Sequence, residues 1–103
     1  MISKSTKARI IYTDGREKPV IPDDKEEGFT LEELKKLLEI GEDSLIQSVP
    51  MESTGMILLV DEEGMMKDLP KNDLATMACA LDVHMGDKGI QGNAIICPAD
   101  WLQ

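Results

Sequence analysis

The sequence predicts an α+β fold, a single small domain in which a mainly antiparallel sheet of four to six strands packs with two helices. Three observations carry this. Short β-branched and apolar runs recur between turn signals. One segment, FTLEELKKLLEIG, has helical periodicity bounded by cap signals. A chain of 103 residues, 42% of them hydrophobic, suffices for one core rather than two.

In chain order, residues 1–7 are polar and read as a flexible N-terminus, with the domain spanning 8–103. ARIIYT, Ala8 to Thr13, reads as a strand, and Asp14-Gly15 signals a two-residue hairpin because glycine accepts positive φ. The return strand, Lys18 to Ile21, contains Pro19 and stops at Pro22; proline has no N–H for a ladder, so this strand belongs at a sheet edge. After the charged connector DDKEEG, Thr30 and Glu33 form a capping box, with Phe29 and Leu34 at the staple positions. Leu31, Leu34, Leu37 and Leu38 then share the core face, Glu32, Lys35, Lys36 and Glu39 face water, and Gly41 is the expected left-handed C-cap.

SLIQSVP, Ser44 to Pro50, reads as a strand whose antiparallel partner is MILLV, Met56 to Val60. Without polar alternation MILLV is expected at the centre of the sheet, covered on both faces. If the chain lacks a covering element, a homodimer would supply it. Asp61-Glu62-Glu63-Gly64 reads as a solvated acidic turn, with Gly64 easing the reversal into a short strand, Met65 to Lys67, that ends at Leu69-Pro70. Asn72 or Asp73 caps a second helix, which buries Leu74, Met77, Ala78 and Leu81. Residues 83–92 read as loop, Asn93 to Cys97 as the last strand, and Trp101 as a hydrophobic plug.

The aromatic content is only Tyr12, Phe29 and Trp101, so aliphatic residues and seven methionines must fill the core. Net charge is -9, which argues against a nucleic-acid groove. The charge is concentrated: Asp14 to Glu63 holds 15 acidic and 5 basic residues, the remainder 5 against 6. Such a field either solubilises the chain or steers it toward a basic protein. Asp23, Asp24, Glu26 and Glu27 are the candidate partner-binding residues.

Cys79 and Cys97 lack CxxC spacing and no secretory segment precedes them, so a reduced, cytoplasmic setting is expected. No apolar run approaches the roughly 20 residues of a membrane span. His84 lies five residues after Cys79, but Cys79 sits among Met77, Ala78, Ala80 and Leu81, the surroundings of an inert buried thiol. No metal site, cofactor motif or catalytic signature is present, and the expectation is a non-enzymatic binding protein. Lys67, Lys71 and Asn72 stand just before a helix start, and Asn93 at the start of the last strand; together they are candidates to read a nucleotide or phosphate.

Three stretches, GFTLEELKKLL (Gly28 to Leu38), VDEEGMMKDLPKNDLAT (Val60 to Thr76) and IQGNAII (Ile90 to Ile96), resemble the domain-of-unknown-function family three-eight-four-six of phages, plasmids and bacterial genomes. The resemblance covers about two thirds of the chain and implies a mobile-element source rather than an activity. Asp68 after Lys67, where a glycine looks more typical, and the stretch from Leu81 to Gly89 depart from the pattern. Small proteins of such elements often counter host defence, which implies an inhibitor that binds a host protein in the host cytoplasm. The alternative is a sponge that sequesters a nucleotide immune signal.

Overall fold

The computed structural model describes residues 8–22, 27–51, 55–64, 67–79, 89–98 and 101, with only the backbone at 78 and 79. Residues 1–7, Asp23, Asp24, Glu26, Met65, Met66, Leu81 and His84 lie outside the described residues. The elements run β1 (Ala8–Ile11), β2 (Glu17–Val20), α1 (Leu31–Leu38), β3 (Ile46–Met51), β4 (Met56–Asp61), α2 (Asp73–Cys79) and β5 (Ala94–Pro98). They form a five-stranded sheet in the order β2-β1-β5-β4-β3, antiparallel throughout, with two helices. This is the predicted α+β class.

Alternation along the interior strands produces two cores. Ile57 and Leu59 of β4, with Ile95 and Cys97 of β5, point to the face covered by Leu34 and Leu38 of α1, Phe29 and Trp101. Met56, Leu58 and Val60, with Ala94 and Ile96, point to the opposite face, where Ala75 of α2 and Ile90 cover them. MILLV is thus an interior strand buried on both sides, although the midmost strand is β5. Because both faces are covered within one chain, the core gives no reason for a dimer. Trp101 is the expected plug: it lies against Phe29 with ring centroids 6.3 Å apart, and its carbonyl accepts from the Phe29 N–H at 2.6 Å.

The caps and turns refine the reading. Thr30 and Glu33 do form the capping box, with reciprocal bonds of 3.0 and 3.1 Å. Two features of α1 differ from expectation. Leu31 is 57% exposed, whereas Leu34 and Leu38 are buried. The left-handed C-cap is Glu39 (φ 61) rather than Gly41: its N–H reaches the Lys36 carbonyl and the Ile40 N–H reaches that of Lys35, closing the helix two residues before the glycine.

The first hairpin turns through three residues, not two. Tyr12 N–H bonds the Arg16 carbonyl at 2.8 Å, and Gly15 takes φ 93. At its tip the Asp14 carboxyl is held below the ordinary carboxylate range, chiefly by the Arg16 backbone N–H it accepts from and further by the Arg16 side chain. Lys67 lies in a turn, not in a strand.

α2 differs from expectation at Leu74 and Met77. Ala75 is fully buried, whereas Leu74 is partly exposed and Met77 is 72% exposed. Its approach to the sheet is set by small residues: Thr76 accepts from the Ile90 N–H at 2.9 Å, and a Cβ on Gly89 would stand 2.7 Å from Thr76 Oγ1.

Candidate functional site

Five segments meet on the α1 side of the sheet and line an open cavity of about 440 Å³. Its walls are Thr13 after β1, Leu38 to Gly41 at the end of α1, Asp61 at the end of β4, Lys67, Leu69 and Pro70, and Gly92 and Asn93 before β5. Antiparallel order explains the convergence: β1 and β4 finish at the edge of the sheet where β5 begins.

The floor is a polar constellation. Asp61 continues the alternation of β4, so its side chain turns inward and is only 2% exposed, correcting its reading as a solvated turn acid. One carboxylate oxygen accepts from the Glu63 N–H at 2.9 Å, an Asx turn that carries the chain off the strand. The other accepts from Lys67 Nζ at 2.7 Å, and that ammonium also donates to Ser44 Oγ at 2.8 Å. Lys67 arrives there because its N–H bonds the Glu63 carbonyl and Leu69 N–H bonds that of Gly64, winding the segment back over Asp61. Gly64 is needed here for closeness, since it has no positive φ: a Cβ would lie 2.7 Å from the Gln91 carbonyl oxygen.

At the rim, Asn93 clamps three segments. Its oxygen accepts from the Thr13 N–H at 3.2 Å, and its Nδ2 donates to the Glu39 carboxylate at 3.0 Å and to the Leu38 carbonyl at 3.4 Å.

Of the four candidate ligand residues, Lys67 and Asn93 enter the cavity and the other two do not. Lys71 is exposed and forms an isolated antiparallel bridge with Gln91. Asn72 is 1% exposed and fully engaged: it donates to the carbonyls of Ile11 and Gly92, both at 2.9 Å, and accepts from the Ala75 N–H at 3.1 Å. It caps α2 and ties it to the sheet, so it is a structural residue. Ser44, Asp61 and Glu39 were not among the candidates. Asp61 was legible in principle, as a carboxylate at the next inward register of an apolar strand.

Chemically, Lys67 keeps one of its three ammonium hydrogens beyond the two bonds described. Its charge is matched by Asp61, and Glu39 adds a second carboxylate beside the carbonyl end of α1, where the helix dipole is negative. The cavity therefore favours amines and guanidinium groups over phosphates. Among the described residues no three His, Cys, Asp or Glu side chains group closely enough to hold a metal ion. Among them too, no helix is long and apolar enough to cross a membrane.

No family model, curated protein or solved structure matches the chain. Glu27, the one described member of the acidic partner-binding set, is exposed ahead of α1.

Proposed function

We propose that the chain is a non-enzymatic accessory protein of a phage or other mobile element that binds a basic host protein in the host cytoplasm and inhibits it, as a counter-defence factor. The observation that carries this reading is the exposed carboxylate group around the α1 end of the sheet, Glu39, Glu42, Asp43 and Glu62, in a chain of net charge -9. The nearby Lys67 is already paired with Asp61, so the local field stays acidic. The mobile-element source draws on the resemblance of the Gly28, Val60 and Ile90 stretches.

The test is recovery of the tagged chain from host cells, followed by affinity measurement on the co-purified protein across a salt series. Affinity is expected to fall as salt rises, and to fall further when Asp23, Asp24, Glu26 and Glu27 are neutralised. An affinity indifferent to both excludes the acidic surface as the binding face.

A second reading, sequestration of a nucleotide signal, rests on the size of the cavity and the remaining Lys67 ammonium hydrogen, against the acidic balance of its walls. A thermal-shift series with cyclic dinucleotides and ADP-ribose derivatives tests it: a sequestered ligand raises the melting temperature through linkage, and an unchanged melting temperature at high ligand concentration rejects it.

A further inference from the structure

The sheet has two edges, and they are not protected alike. The hydrogen-bond phase of each follows from its register. Glu62 N–H bonds the Leu45 carbonyl at 2.9 Å, next to the Ile46↔Asp61 pair, so Gln47, Val49 and Met51 turn their backbone groups toward β4. Ile46, Ser48 and Pro50 turn theirs outward. At the other edge the Tyr12–Arg16 bond, beside the Ile11↔Glu17 pair, leaves Glu17 and Pro19 turned outward.

Pro19 lacks an N–H and sits in the body of β2, leaving Glu17 as the outward donor of a strand with exposed charged residues at Glu17 and Lys18. Pro50 instead falls near the far end of β3. The six residues IQSVPM carry no charge, and the outward N–H groups of Ile46 and Ser48 are consecutive donors with no strand beside them among the described residues. A long, neutral, donor-bearing edge is a template for another strand.

Charge selects the occupant. The N-terminal end of β3 is preceded by exposed Glu42 and Asp43 and flanked by exposed Glu62. A second copy would bring a further net charge of -9 and the same carboxylates to the seam. We propose that the β3 edge is the docking site for an extended segment of a partner protein, added antiparallel, neutral where it faces Ile46 and Ser48 and basic at its C-terminal end beside Glu42 and Asp43. The site deepens the partner-binding reading and rests on it, turning a diffuse acidic attraction into a located, directional contact.

The probe is a synthetic peptide of alternating threonine and valine ending in two arginines, compared with the same peptide ending in two glutamates and with one carrying the arginines first. Hydrogen exchange on the unaltered chain should show the amides of Ile46 and Ser48 slowed by the first peptide only. Ser48→Pro removes one outward donor and should weaken binding about tenfold, whereas Ser48→Ala keeps the N–H and should bind like the parent. Melting curves show whether Ser48→Pro folds, and the exchange measurement stands without it. Binding without protection at Ile46 and Ser48 overturns the edge assignment while leaving the acidic-surface reading intact. Absence of peptide binding, or protection of both amides in a peptide-free dimer, also overturns the assignment.

Discussion

Asn72→Asp separates two roles that one side chain performs. At the start of α2 the Asn72 oxygen accepts from the Ala75 N–H, a function aspartate fulfils as well as asparagine. The amide nitrogen donates to the Ile11 and Gly92 carbonyls, and a carboxylate has no hydrogen for either. In the substituted chain two buried acceptors lose their donor and face an anion in a site that is 1% exposed in the parent. At about 1–2 kcal/mol for each abandoned carbonyl, the loss is about 3 kcal/mol before repulsion is added. In a domain of this size that lowers the melting temperature by roughly 12 °C or more. Asn72→Ala loses the cap as well, adding about 1 kcal/mol. Urea unfolding followed by circular dichroism gives both values. If Asn72→Asp unfolds within about 0.5 kcal/mol of the parent, the cap alone matters and the bridge from α2 to the sheet is not a stabilising tie.

Further substitutions probe the cavity wall and the turn beside it by the same unfolding assay. Lys67→Met leaves one Asp61 oxygen without its cation and should cost about 2 kcal/mol, below the range for fully buried pairs because Lys67 is 36% exposed; the double variant with Asp61→Asn should recover part of that loss, and simple additivity would show that the pair is not coupled. Glu39→Gly removes a left-handed backbone penalty at the cost of one exposed bond to Asn93, and should stabilise by about 0.5 kcal/mol; a net loss would assign more weight to the Glu39–Asn93 contact. Gly64→Ala puts a methyl 2.7 Å from the Gln91 carbonyl oxygen and 3.3 Å from that of Asp61, both backbone atoms, and should destabilise by about 1–3 kcal/mol, whereas unchanged stability would mean that the turn shifts freely.

Local signals made most of the fold legible. The Thr30 capping box, the proline-marked edge at β2 and the apolar runs of β4 and β5 each state their structure within a few residues. What escaped depends on distance in sequence. α2 packs through Ala75 rather than Leu74 and Met77 because Asn72 and Thr76 hold the helix close to the sheet, and those bonds reach to Ile11, Ile90 and Gly92. Gly41 resembled a cap, yet the helix closed at Glu39, whose carboxylate meets Asn93 from the far end of the chain. The cavity was half legible: Lys67 and Asn93 reach it, but Ser44 joins Asp61 and Lys67 across a span that no local pattern encodes.

Electrostatics also ranks the two functional readings. A nucleotide brings at least one phosphate to a cavity whose cation already satisfies Asp61, with Glu39 and the carbonyl end of α1 adjoining it. One residual ammonium hydrogen can orient an anion but adds little net attraction. A lysine or arginine side chain of a partner meets the opposite balance, with Glu39 at the rim and Glu42, Asp43 and Glu62 outside. The same carboxylates border the N-terminal end of β3, whose outward Ile46 and Ser48 amides supply the directional bonds that a charged surface lacks. Salt should therefore weaken partner association mainly by slowing encounter, whereas Ser48→Pro should act mainly by speeding dissociation. Stopped-flow measurement distinguishes the two effects, and a Ser48→Pro change confined to the association rate would break the link between edge and acidic surface.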